Sequence, residues 1–443
     1  MNDTIAAIST AFGEGAIAVL RLSGPRAIEF AEAVFRAKVC VADLRPRVQQ
    51  FGAIFAGEEK LDDVLLTVFR APASYTGEDV VEIAGHGGVL VSRRILEVLL
   101  RKGARAALPG EFTQRAYLHG KMDLTQAEAV MDLITAQTDL ALRAATEQLE
   151  GRLGERIRAL KELLLELLAH VEAFIDFPDE DIDPDTGEAL LRKLDAARTE
   201  IDALLATADR GKVLREGVRT VIYGAPNVGK SSLLNLLLGH ERAIVSAQPG
   251  TTRDVIEEVI NLRGFPLRLI DTAGLRESDD EIEQAGMERT RQQVERADLV
   301  LRVEEANAER GMPNAECGAR TLLVLNKIDL GEHASWREVE AVRISCRSSV
   351  GIEALAEAIV QRVTGGQTAQ RDWSVAINAR HRTHLEKARE LAGAARTALT
   401  TGLSPEFVAE ELRGALEAVG AVVGKAESED VLGKIFSTFC IGK

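Results

Sequence analysis

Apolar residues change their spacing several times along this chain, and the changes divide it into parts. Residues 1–118 mix short β-branched runs (Ala16 to Leu20, Val64 to Phe69, Val80 to Ile83) with helical spacing from Val91 to Leu100. That mixture predicts an α+β domain. From 119 to 214 the texture turns long and helical, as in Ile157 to Leu168. Residues 215–365 alternate strand-like and helix-like segments, which predicts an α/β domain. After a Gly-Gly-Gln-Thr break, helical spacing resumes and fills most of 366–443. A discontinuous helical bundle with an α/β domain inserted between its halves explains this order, since insertion is tolerated where chain ends lie close together at a surface.

The inserted region carries the chemistry. Gly224-Ala-Pro-Asn-Val-Gly-Lys-Ser231 is a complete phosphate-binding loop, set between the strand-like run Val218 to Tyr223 and the helical run Ser232 to Leu238. Backbone N–H groups of Asn227, Val228 and Gly229 are placed to wrap a phosphate chain. Lys230 would reach the outer phosphates, Ser231 would ligate magnesium, and Ser232 continues into the helix whose positive end faces the anion. Asp271, Thr272, Ala273 and Gly274 end the run Leu267 to Ile270; there an Asp can hold magnesium through water while the Gly backbone approaches the terminal phosphate. Asn326, Lys327 and Asp329 end a third run, Leu322 to Leu325. The Asp329 carboxylate can accept from both the ring N–H and the exocyclic amine of guanine, a pair adenine lacks. Ser345, Cys346 and Arg347 form the expected last base-contacting turn. Four ordered motifs at strand ends predict a P-loop GTPase domain.

Two departures from a Ras-like switch sharpen this reading. Leu275 follows the Asp-Thr-Ala-Gly motif where Ras-like proteins carry the glutamine that orients the attacking water. Either hydrolysis is feeble or another group acts, and Glu283, a few residues on, is the candidate. Asn227 inside the phosphate loop is the second departure. With Ser246, Ala247, Gln248, Pro249, Gly250, Thr251 and Thr252 it offers an oxygen-rich lining. Thr252 is the expected second magnesium ligand. Asn227, Ser246, Gln248 and Thr251 would cage a potassium ion, placing positive charge where other systems insert an arginine.

Composition changes the picture little. The chain has 443 residues, 46% of them hydrophobic, enough for two or three cored domains. No apolar run is long enough to span a membrane, and the N-terminus has no basic-then-apolar leader pattern, so a cytoplasmic location is expected. Cys40, Cys317, Cys346 and Cys440 lack zinc or disulfide spacing. The net charge of −15 opposes non-specific attraction to nucleic acid. Two basic groups stand out against it, one from Arg93, Arg94, Arg101, Lys102 and Arg105, the other from Arg380, Arg382, Lys387 and Arg389. Each reads first as a solvated helix face and second as an RNA contact. The acidic stretch from Asp181 fails as a calcium loop, with Thr186 where glycine is needed and Arg192 where glutamate is needed.

The GTPase motifs, read as Gly-x-x-Asn-x-Gly-Lys-Ser, Pro-Gly-Thr-Thr-Arg-Asp254, Asp-Thr-Ala-Gly-Leu-Arg276 and Asn-Lys-x-Asp329, resemble the potassium-activated, dimerisation-dependent GTPases. The ending Phe439-Cys-Ile-Gly-Lys443 narrows the resemblance to the tRNA uridine-modifying GTPase family MnmE, also called TrmE. So do Leu20-Arg-Leu-Ser-Gly24, Tyr75-Thr-Gly-Glu-Asp79, Gly85-His-Gly-Gly88, Pro109-Gly-Glu-Phe112, the segment from Lys121 to Ala129 and Ile175-Asp-Phe-Pro-Asp-Glu180. The resemblance implies an N-terminal domain that dimerises and binds a tetrahydrofolate derivative. It implies a flavoprotein partner of the MnmG type and addition of an aminomethyl or carboxymethylaminomethyl group at carbon 5 of the tRNA wobble uridine. Arg21, Glu82, Lys121 and Lys443 match the family's folate-contacting positions. Cationic side chains suit the glutamate tail of a folate, and Glu82 suits the pterin donors. Cys440 reads either as a small buried hydrophobe or as a thiol acting beside the folate. Glu283 would orient water once two GTPase domains meet.

Some positions depart from the family's pattern. Ala16 and Ala18 stand where relatives often have glycine, and a methyl group there would weaken folate binding if backbone must approach the ligand. Arg302 interrupts a normally apolar strand that ends in Glu304 rather than Asp, and Cys346 replaces an alanine. The rival function is a GTPase switch in ribosome or RNA assembly without modification chemistry. Such a switch usually appends an RNA-binding module, and no KH-like Gly-x-x-Gly segment follows residue 365.

Overall fold

A computed structural model describes residues 3–176, 186–240, 258–270, 293–310, 320–365, 375–424 and 429–443. By Cα proximity the chain forms two compact units, Met1–Met131 with Val419–Lys443, and Asp132–Ala418. Sequence texture grouped all of 366–443 together; in space the residues from Val419 onward join the N-terminal unit.

The first unit is built on a seven-stranded sheet. Its strands are β1 (Ile5–Ile8), β2 (Ile17–Ser23), β3 (Phe35–Arg36), β4 (Gln50–Ala56), β5 (Glu59–Phe69), β6 (Val80–His86) and β7 (Arg105–Ala106), in the order β3-β4-β5-β6-β2-β1-β7. All neighbours run antiparallel except β1 and β7. Strand alternation sends Leu20, Leu22, Val64, Leu66 and Ile83 to one face, where the helix Val89–Arg101 covers them with Ile95, Val98 and Leu99. The opposite face holds Arg21 and Glu82, directly paired across β2 and β6. A small second cluster of Ile5, Ala7, Ala107 and Phe112 packs there, with Tyr75 against it.

The C-terminal tail completes this unit. Phe436 and Phe439 are buried, their ring centroids 5.3 Å apart, and Ile441 bridges to Pro109. The Tyr117 hydroxyl donates to the Gly424 carbonyl at 2.6 Å. Beneath the sheet edge Arg115 is fully buried among carboxylates, at 2.7 Å from Asp3, 3.0 Å from Glu111 and 3.1 Å from Glu78. Such a buried guanidinium persists only because its charges are matched on several sides.

In the second unit, helix Arg152–Asp176 buries Leu153, Ile157, Leu160, Leu164, Leu167 and Val171 at three- and four-residue spacing. Helix Ala379–Thr401 begins with a capping box between Asn378 and His381 and presents Ala388, Ala392, Ala395 and Ala398. That small-residue stripe lets it lie closely on helix Thr186–Leu205, where Arg396 meets Asp195 at 2.7 Å. No helix among the described residues is long and apolar enough to cross a membrane.

The second sheet contains β8 (Val218–Tyr223), β9 (Glu258–Leu262), β10 (Phe265–Leu269), β11 (Leu299–Glu305), β12 (Thr321–Asn326) and β13 (Val342–Arg343). The order is β13-β12-β11-β8-β10-β9, parallel throughout except for the β9–β10 hairpin. Leu301 and Val303 enter the core while Arg302, on the other face, pairs with Glu304 at 2.8 Å. This is how an arginine is accommodated in an otherwise apolar strand. Loops following β8, β11, β12 and β13 gather at the carboxyl ends of the parallel strands, where open α/β sheets bind ligands.

Candidate functional site

The phosphate loop follows β8 and leads into helix Lys230–His240, so its backbone N–H groups point past a helix N-terminus. Asn227 (φ 65°) and Gly229 (φ 99°) adopt left-handed backbone, and Asn227 is one of the few non-glycine types that tolerate it. Asn227 and Ser231 are exposed, Ser232 likewise, while Val228 is buried and pins the loop to the core. Lys230 donates to the Ala225 carbonyl at 2.7 Å, and burial lowers its pKa. A cation partly stripped of water in this loop favours an incoming polyphosphate.

Asn326 ties the loop to the base-side motif. It is buried; its amide donates to the Val228 carbonyl at 2.9 Å and its oxygen accepts from Cys346 N–H at 3.1 Å. Ser345, also buried, donates to Asp329 Oδ1 at 2.6 Å and so aims an otherwise exposed carboxylate. Lys327 has left-handed backbone (φ 64°), and its ammonium contacts Glu305 at the end of β11. Burial pushes the Cys346 thiol up, and the side chain packs partly against the core, a place an alanine would also fill. Arg347 is exposed. Glu305 was not visible as a site residue from sequence, because its partner is reached only through strand pairing.

A Cβ on Gly229 would lie 2.2 Å from the Asn326 amide nitrogen. Gly229→Ala should therefore break the Asn326 brace and leave its amide buried without a partner. GDP affinity should fall about tenfold or more, read by fluorescence titration with a labelled nucleotide. Parent-like affinity would remove Asn326 from this role. Ser246, Ala247, Gln248, Pro249, Gly250, Thr251 and Thr252, with Asp271, Thr272, Ala273, Gly274 and Glu283, lie outside the described residues.

In the first unit, Arg21 donates through Nε and Nη2 to Glu82 Oε1 at 3.0 and 2.7 Å. Both side chains stay partly accessible. The guanidinium carbon lies 5.5 Å from the Tyr75 ring centre and 5.7 Å from that of Phe112. Lys443 is brought to the same helix start, its main-chain oxygen accepting from Phe112 N–H at 3.2 Å. Lys121 is exposed and donates to the Pro72 carbonyl at 3.0 Å, at the other end of the loop that carries Tyr75. Cys440 is exposed; its carbonyl accepts from Gly110 N–H. The expectation that Arg21 serves a ligand tail and Glu82 a ring meets a simpler fact: in this structure they pair with each other. Ala16 is exposed. Ala18 is buried, on the face that carries Leu20 and Leu22 and away from Arg21.

Several sequence motifs of this unit are internal braces. Glu78 and Glu111 neutralise Arg115. Burial would raise the Glu111 carboxyl, but hydrogen bonds from Arg105, Leu108 N–H and Arg115 hold it below the ordinary value. His86 donates its backbone N–H to the buried Asp62, whose carboxylate also holds its Nδ1 at 2.6 Å and raises the imidazole pKa. The basic groups are largely matched as well: Arg93 meets Glu97, Arg94 meets Glu59, Arg105 meets Asp3, and Arg382 meets Glu386, all at 3.0 Å or less. Arg389 sits 3.7 Å from Asp202. That favours solvated faces over an RNA surface.

A family model described as the GTP-binding protein TrmE N-terminus matches residues 4–121, and one described as the MnmE helical domain matches residues 124–440. A tRNA modification GTPase MnmE from Akkermansia muciniphila is 52% identical over 444 residues, covering 99% of either chain. Proteins of the same name from Natranaerobius thermophilus and Aquifex aeolicus are 45% and 44% identical, each over the whole of both chains. Among solved structures, the G domain of the T. maritima FeoB iron transporter is 26% identical over 33% of this chain and 98% of its own, with a TM-score of 0.23.

Proposed function

This chain belongs to the MnmE family of tRNA modification GTPases, and from that membership we propose a GTP-hydrolysing enzyme that modifies carbon 5 of the tRNA wobble uridine. It would work as a homodimer in the cytoplasm with an FAD-dependent partner of the MnmG type, adding a (carboxymethyl)aminomethyl group. Its division of labour would follow the regions of the chain: 1–118, joined in space by the residues from Val419 onward, for folate and dimerisation, 119–214 and 366–418 for the helical bundle, and 215–365 for GTP.

In the GTPase region, Lys230 would bind the outer phosphates and Asp329 would select guanine, with Asn326 and Ser345 holding both in place. Ser231 and Thr252 would hold magnesium. Asn227, Ser246, Gln248 and Thr251 would hold potassium; the exposed side chain and left-handed backbone of Asn227 at the loop tip suit a ligand reaching outward. Those cations would supply positive charge to the transferring phosphoryl group. Glu283 would orient the attacking water.

In the N-terminal region, Arg21, Glu82, Lys121 and Lys443 would bind the tetrahydrofolate, which carries the one-carbon unit. Support comes chiefly from one observation: Arg21, itself paired with Glu82, and the backbone of Lys443, from opposite ends of the chain, meet at Phe112. Calorimetric titration with 5-formyl-tetrahydrofolate tests the reading. Saturable binding should weaken about tenfold or more in Arg21→Ala, through loss of a charged contact, and also in a chain lacking Lys443. A folded, GTP-hydrolysing parent that binds no folate would favour the assembly-switch reading instead.

A further inference from the structure

The geometry points to Phe112 as a positioning residue that ties the seating of the C-terminal tail to the guanidinium of Arg21. The inference deepens the folate reading above and, in its binding test, rests on it. Phe112 acts through both its ends. Its ring lies beside the Arg21 guanidinium, and the negative face of an aromatic ring attracts such a cation. Its backbone N–H, in the first turn of helix Glu111–Leu118, has no acceptor within the helix and donates instead to the main-chain oxygen of Lys443. The ring is fully buried against Ile5, Ala7 and Ala107, so it cannot adjust independently of its backbone.

The tail reaches that N–H only because two glycines permit close approach. Gly442 has left-handed backbone (φ 97°), and a Cβ there would sit 2.6 Å from the Ile8 carbonyl. A Cβ on Gly110 would sit 2.8 Å from the Phe436 carbonyl. Tyr75, the second ring beside Arg21, is held from the next helix position by Thr113, with 2.9 Å between the two hydroxyl oxygens. Displacing the tail therefore shifts the helix start, which carries one ring beside the Arg21 guanidinium and braces the other, while Glu82 on the neighbouring strand keeps its hydrogen bonds. No polar group of the ligand site needs to be removed for this to happen.

The test is a double-mutant cycle in the full chain with Phe112→Leu and Gly442→Ala, reading the Kd for 5-formyl-tetrahydrofolate, with thermal melting as the fold control. Each single change should weaken binding about three- to tenfold, while the double variant should be no weaker than the worse single. Phe112→Met, close in volume but without a ring, should weaken binding as Phe112→Leu does. Multiplicative effects in the double variant, or parent-like binding by Phe112→Leu, would overturn the inference. An independent measurement follows the Arg21 Nε–H resonance, which the two rings shift. Gly442→Ala should move it even without folate; an unmoved resonance would overturn the positioning role. Absence of folate binding by the parent with a moved resonance would count against the folate reading alone.

Discussion

Asp329→Asn should move the base preference of this GTPase from guanine toward xanthine nucleotides. A carboxylate accepts two hydrogen bonds from the guanine edge, whereas an amide offers one acceptor and one donor, which suits the extra carbonyl of xanthine. The structure sharpens the expectation, because Ser345 already holds Asp329 Oδ1 at 2.6 Å and fixes the plane of the group. An asparagine held in that plane would turn a donor toward a guanine donor. GTP affinity should fall about a hundredfold or more, the loss expected when a site built for hydrogen bonds is left mispaired. Competition between GTP and XTP in a hydrolysis assay measures it. Retained guanine preference would remove Asp329 from base selection.

Turnover by Glu283→Ala should fall by about ten- to a thousandfold, the range spanned by loss of a group that orients or activates the nucleophile. The argument starts from Leu275, which cannot hydrogen-bond the water that a glutamine holds at that place in Ras-like switches. Hydrolysis then needs a polar group from elsewhere in the same segment, and Glu283 is the side chain proposed. GTP affinity should stay nearly intact, since the ground-state phosphates would be bound by Lys230 and the loop. Single-turnover hydrolysis beside a nucleotide-binding titration separates the two. An unchanged rate would leave water orientation to some other residue.

How much was legible in advance differs sharply between the two units. The geometry of the phosphate loop was legible because it is written in contiguous backbone: β8, the left-handed Asn227 and Gly229, and the start of helix Lys230–His240 follow one another directly. The place of the Asn326 to Asp329 motif at the end of a strand was legible for the same reason. The partners of those motifs were not. Asn326 reaches Val228 across two neighbouring loops, and Glu305 meets Lys327 only because β11 and β12 pair in one register. In the N-terminal unit, Arg21 and Glu82 looked like separate ligand contacts. A seven-strand order that places β6 beside β2 makes them a pair.

The sequence by itself determined which local backbones this protein can adopt and which chemistry each short segment can perform, because glycine conformations, helix starts and charged side-chain types act over a few residues. Only the tertiary structure decided which charges neutralise one another and which stay partly accessible. Arg115 is consumed by Asp3, Glu78 and Glu111, whereas, among the described residues, Arg21 meets Glu82 alone and stays partly accessible beside two rings. The physical reason is range. An ion pair or a ring contact needs a few ångströms, and residues separated by most of the chain come that close only when strand order, register and the docked tail bring them there.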